Sequence, residues 1–103
     1  SISDFAVDIR ADCCAAIVTV SNGGNLFYGP GAVRVTANGL VQYTEATVQA
    51  ANIYSAPAGI GLSITANAGS AITQLNNAIF VADSGILSYA SDANSVSFYR
   101  GEM

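Results

Sequence analysis

The chain has 103 residues, of which 51% are apolar and only 10% are charged, and its net charge is −4. It has no lysine and no histidine, and its cations are Arg10, Arg34 and Arg100. That excludes the clustered Lys and Arg that neutralise phosphates, so no nucleic-acid partner is expected, and the acidic balance disfavours an anionic membrane surface.

The first dozen residues read as an extended strand or arm. Phe5, Val7 and Ile9 alternate with Asp4, Asp8, Arg10 and Asp12, the period of a strand with one apolar face. The expected division is 1–12 as an N-terminal strand or arm and 13–103 as a single β domain. Phe5, Val7 and Ile9 are the candidate residues for a strand added to a neighbouring subunit.

Cys13-Cys14 follows and opens the longest apolar run, Cys13 to Val18. That run is far below the ~20 residues a spanning helix needs, so no membrane insertion is expected. Adjacent cysteines on a strand point to opposite faces. One reading is a buried apolar pair in a reducing compartment. The sharper reading is a pair of intersubunit cross-links, Cys13 and Cys14, in an oxidising one. In outline, Cys13-Cys14 ahead of a β pattern resembles the spore-appendage fibre subunits. In that family an N-terminal arm with a Cys-Cys pair precedes a jelly-roll domain. The resemblance covers only that pair and the general β pattern, and the third cysteine usual in the arm is absent.

Beyond the pair, alternating segments and turn residues recur. Val18 to Ser21 leads into Asn22-Gly23-Gly24-Asn25, and Val33 to Ala37 leads into Asn38-Gly39 and then Leu40 to Thr44. Asn-Gly between alternating segments predicts a two-residue hairpin joining 33–37 to 40–44. Gly29-Pro30-Gly31 and Ala56-Pro57-Ala58-Gly59 read as loops. Ile60, Leu62 and Ile64 alternate up to Asn67-Ala68-Gly69-Ser70. Val18 to Gly23, Val33 to Gly39 and Leu62 to Gly69 form a weak internal repeat. Stacked coils of a β-solenoid produce such a repeat; consecutive hairpins produce it more simply. Ile72, Leu75, Ile79, Ala82, Ile86 and Tyr89 also fit a heptad, so a helix within Ser70 to Ala82 is the competing expectation.

Candidate chemistry is sparse. Without His, acid–base work falls to carboxylates, and Glu45, Asp83 and Asp92 have no paired context. Asp8, Asp12, Asp83 and Asp92 lack a calcium-loop spacing, and no zinc pattern exists. No catalytic residue, metal site or cofactor is expected. A sugar-stacking platform would have to use tyrosines, chiefly Tyr28, Tyr43, Tyr54 and Tyr89, since there is no Trp.

The expected fold is therefore all-β: a small antiparallel sandwich or jelly-roll-like meander of hairpins. The alternative is a small-residue-rich helical assembly subunit. So much apolar surface on so small a domain needs covering. The expected function is thus a non-enzymatic structural subunit that self-assembles, with copies of itself as partner, into an extracellular fibre, appendage or virion component. The alternative is a small carbohydrate-binding β-sandwich module. Low charge with abundant Ser, Thr and Asn places it outside the cell, on a cell surface or on a virion surface.

Overall fold

A computed structural model describes residues 4–102, and among them there is no helix. The strands are β1 (Phe5–Ala11), β2 (Ala16–Val20), β3 (Leu26–Tyr28), β4 (Gly31–Ala37), β5 (Val41–Glu45), β6 (Asn52–Ala66), β7 (Ala71–Ala90) and β8 (Asn94–Glu102). Every pairing is parallel, and consecutive strands β4 and β5 do not pair with each other. A parallel neighbour cannot be reached by a tight hairpin. The chain must travel around and return, and it does so as a coil with three faces.

The first face stacks β1, β4, residues 60–66 of β6 and residues 84–90 of β7. The second stacks β2, β5, the first part of β7 and the first part of β8. The third stacks β3, residues 52–56 of β6, residues 78–82 of β7 and the end of β8. The result is a β-solenoid-like arrangement of four rungs. Its shortest dimension, 20 Å, matches four rungs at the ~4.8 Å spacing of neighbouring strands.

The alternation seen in the sequence decides what faces the lumen. Val7, Val33, Leu62 and Ile86 form one column, and Ile9, Val35, Ile64 and Ser88 the next. Ala11, Ala37, Ala66 and Ala90 form a third, at the corner leading to the second face. Small side chains are needed there because two faces converge. Phe27, Tyr54 and Phe80 stack on the third face, with ring centroids 5.1 and 4.7 Å apart. Aromatic pairs at these separations contribute beyond the area they bury.

The expected antiparallel sandwich or meander of hairpins is overturned by this topology. Asn38-Gly39 is a corner between two faces, and the strands on either side bond to other rungs. A type I′ turn needs positive φ at both central residues, whereas the one glycine with positive φ among the described residues is Gly24, at 77°. Gly39 is required for a different reason. A Cβ there would lie 2.6 Å from the Cys14 carbonyl oxygen, and one on Gly69 would lie 2.6 Å from the Gly39 carbonyl carbon. The corners thus pack backbone on backbone, one rung over the next.

The competing helix is overturned as well, since 71–82 lie within β7. The heptad of Ile72 to Tyr89 marks no single face of the strand, since Leu75 is buried and Tyr89 is exposed. Pro57 lies at a corner in β6, where the register slips between Ala56 and Ile60. The weak repeat has a structural basis in part. Val33 stacks on Leu62 and Ala37 on Ala66, one rung apart. The copy at Val18 belongs to the second face.

Candidate assembly surfaces at the ends of the coil

Two parts of the molecule carry polar or exposed groups that the fold alone does not consume. One is a buried network in the second and third rungs. Tyr43 and Glu45 point inward from β5 and Tyr54 from β6, and all three are buried. The Tyr54 hydroxyl donates to Glu45 Oε2 at 2.8 Å, and the hydroxyls of Tyr43 and Tyr54 bond at 2.9 Å. Glu45 Oε1 accepts from the backbone N–H groups of Asn76 and Asn77, at 3.0 and 2.8 Å. A buried carboxylate is tolerable when its lone pairs are met in this way. Burial pushes the Tyr43 hydroxyl up to about 12, with the Tyr54 bond pulling the other way and the Glu45 charge adding to the rise. Burial, followed by the adjoining Tyr43, raises Tyr54 further.

Beside this network, Asn52 Oδ1 accepts from the Asn25 side chain at 2.8 Å and from its backbone N–H at 3.1 Å. Asn77 Nδ2 donates to the Gln49 carbonyl at 2.9 Å. These bonds tie the irregular corner between the second and third faces from rung to rung. Buried Asn52 Nδ2 and Thr73 Oγ1 have no hydrogen-bond partner among the described residues. Glu45 itself is enclosed, with both carboxyl oxygens engaged in these bonds. Glu45 is the site residue that sequence reasoning passed over. Its inward register was readable from Val41, Tyr43 and Glu45 on alternate positions; its partners were not.

The other part comprises the two ends. In the first rung, Phe5, Val7, Ile9 and Ala11 are half-buried and the residues between them are exposed or half-exposed. In this chain β1 bonds to β4, and among the described residues no strand pairs with its other edge. Asp8 holds Arg34 through a bidentate pair at 3.1 and 2.6 Å, and the Arg34 guanidinium lies 4.5 Å from the Phe5 ring centroid. The Asp8 bond raises the Arg34 pKa, keeping it charged. Residues 1–3 of the expected arm, and Met103, lie outside the described residues. Cys13 and Cys14 form the first corner, not a strand; both are exposed, and their sulfurs are bonded to each other.

At the far end, residues 84–90 and β8 each pair with a strand on one side, and among the described residues no strand pairs on the other. Val96 and Phe98 occupy columns that are buried one rung below, yet they are 46% and 36% exposed. Among the described residues no element lies over either end. A lateral apolar stripe also runs along the third face, where Leu26, Tyr28 and Val81 are exposed beside Ile53 and Ile79.

The other sequence candidates are scattered. Asp8 lies on the first face, Asp12 and Asp92 on corners of the first and fourth rungs, and Asp83 where the third rung passes into the fourth. Among the described residues no three His, Cys, Asp or Glu side chains converge as a metal site. Tyr43 and Tyr54 are enclosed, while Tyr28 and Tyr89 are exposed on different faces. The four tyrosines thus form no common platform. No helix among the described residues is long and apolar enough to cross a membrane. Comparison with protein-family profiles, with curated proteins and with solved structures gave no match to this chain.

Proposed function

We propose that this chain is a non-enzymatic structural subunit that assembles with copies of itself into an extracellular fibre, an appendage or a virion component. The observation that carries this reading is the pair of open ends. A solenoid rung needs neighbours on both sides, and terminal rungs are normally capped by polar or irregular structure. Here the fourth rung leaves Val96 and Phe98 exposed, and among the described residues no strand pairs with the outer side of either end rung. Free strand edges template pairing with another chain. The low charge, 10% of residues, removes the like-charge repulsion that keeps edges apart.

Electron microscopy of the purified chain, with light scattering over a concentration series, tests the proposal. Elongated multi-copy particles that grow with concentration are expected. A monodisperse 10.4 kDa species at high concentration would refute it.

A further inference from the structure

We infer that the first rung of one copy docks, parallel and in register, on the fourth rung of a second copy, so that copies add head to tail. This rests on the self-assembly reading above and specifies the partner and the surface.

The argument is continuity. Rung-on-rung contact already occurs three times within the chain, always in parallel and with matched columns. One further step of the same register sets Val7 beside Ile86, Ile9 beside Ser88 and Ala11 beside Ala90. The valine-to-isoleucine column and the alanine column then continue without a break. On the second face the same step sets Ala16 beside Asn94, Val18 beside Val96 and Val20 beside Phe98. The exposed Val96 and Phe98 thereby gain Val18 and Val20 as apolar neighbours. Corner lengths agree as well. Residues 12–15 would lie over 91–93, and within the chain residues 38–40 already lie under 67–70. Outside, Arg10 comes beside the exposed Tyr89 ring, a cation–π pairing like that of Arg34 with Phe5.

The two surfaces differ from each other, so the contact is heterologous. Such a contact with no closing rotation yields an open filament. Each copy adds four rungs, an axial step of about 19 Å at ~4.8 Å per rung.

Directed cross-linking tests the register. Thr19 and Ser97 are exposed on the second face, and the proposed step sets Thr19 of one copy beside Ser97 of the next. Within one chain the two are three rungs apart, through Thr44 and Gln74, or roughly 14 Å, too far for an internal disulfide. The probe is Thr19→Cys with Ser97→Cys, carried on Cys13→Ser and Cys14→Ser. Mild oxidation is followed by a non-reducing denaturing gel, peptide mapping and scattering on the same sample.

A ladder of multiples whose bridges map to 19–97 is expected. An out-of-register pair, Ile17→Cys with Ser97→Cys, should cross-link at least about tenfold more slowly, because its Cα atoms would be about 8 Å apart. Multi-copy scattering without a ladder, or with 19–19 or 97–97 bridges, overturns the head-to-tail register and leaves self-assembly standing. A monomer by both scattering and gel overturns both. Because all the substituted strand positions are exposed, circular dichroism should match the parent, so each outcome reports on contact rather than on folding.

Discussion

The second and third rungs and the first and fourth rungs are made from the same alternation, yet they differ in what completes them. On the first two faces of the inner rungs, inward side chains such as Val33, Val35, Val41 and Leu62 have a neighbour above and below. Val35, Val41, Tyr54, Leu62 and Ala66 are fully enclosed. In the end rungs the same columns are half open, and Val18, Val20, Val96 and Phe98 keep one side toward solvent. The only buried carboxylate among the described residues is also in the inner rungs, where backbone N–H groups from the next rung satisfy it. The difference teaches that burial here is a property of stacking and not of sequence hydrophobicity. Val96 is as apolar as Val41, but it lacks a rung on one side.

Substitutions at matched positions should widen this contrast. The largest effect is expected at Tyr54, which sits between Phe27 and Phe80 and donates to Glu45. Tyr54→Ala leaves a cavity and strips partners from Glu45 and Tyr43, so it should cost about 4–5 kcal/mol in urea unfolding. An unfolding midpoint within error of the parent would contradict the network's role.

Alkaline pH acts on the same rungs. The folded state raises the pKa of Tyr43 and Tyr54 above their unfolded value of 10.0, so the folded form retains protons that the unfolded chain releases. Their contribution is therefore fully present below about pH 10 and is lost as pH rises toward 12, at about 1.4 kcal/mol per pH unit for each tyrosine. Thermal unfolding between pH 9 and 12 should show that slope, and Tyr43→Phe should flatten it. An unchanged slope in that variant would count against the assignment.

A smaller gain is expected at Thr73. Its hydroxyl is buried without a partner, in a column shared with Val18, Tyr43 and Val96. Thr73→Val removes an unmet polar group at nearly constant shape, so it should stabilise by about 1 kcal/mol. A loss of stability in chemical denaturation would mean that the hydroxyl is satisfied. The smallest effect belongs to the end rung. Val96→Ser should change the stability of the dilute chain by no more than about 0.5 kcal/mol while weakening assembly in scattering. Equal losses at Val96 and at the enclosed Val41 would erase the distinction between inner and end rungs.

Much of the β character was readable from the chain. The period-two alternation that the sequence displays at 5–10, 18–20, 33–37, 41–44 and 60–64 falls in each case within a strand. The strands' partners were not readable, because Asn38-Gly39 serves equally as a hairpin turn or a solenoid corner. What separates the two is whether the following strand returns to its predecessor or goes on to another face, a non-local matter. A strict repeat would have signalled the coil, but the rungs are uneven. Phe5 stands beside Gly31, Val33 beside Leu62 and Leu62 beside Ile86, offsets of 26, 29 and 24 residues. The insertions collect at the corners, in particular 46–51, and they blur the period. The end surfaces were visible only as the apolar sides of Phe5, Val7 and Ile9. That β8 would lie open at the opposite end follows from pairing alone.

Amide hydrogen exchange, read strand by strand at two concentrations, tests most directly whether the ends are completed by other copies. In dilute solution β5, which is paired on both sides, should exchange slowly, and the free-edge amides of β2 and β8 should exchange fast. At assembling concentrations β2 and β8 should slow by at least about tenfold, together and to similar extents, while β5 stays unchanged. If β2 and β8 are already as protected as β5 in the dilute chain, or if concentration leaves them unaltered, the ends are complete in the single chain and the account is wrong.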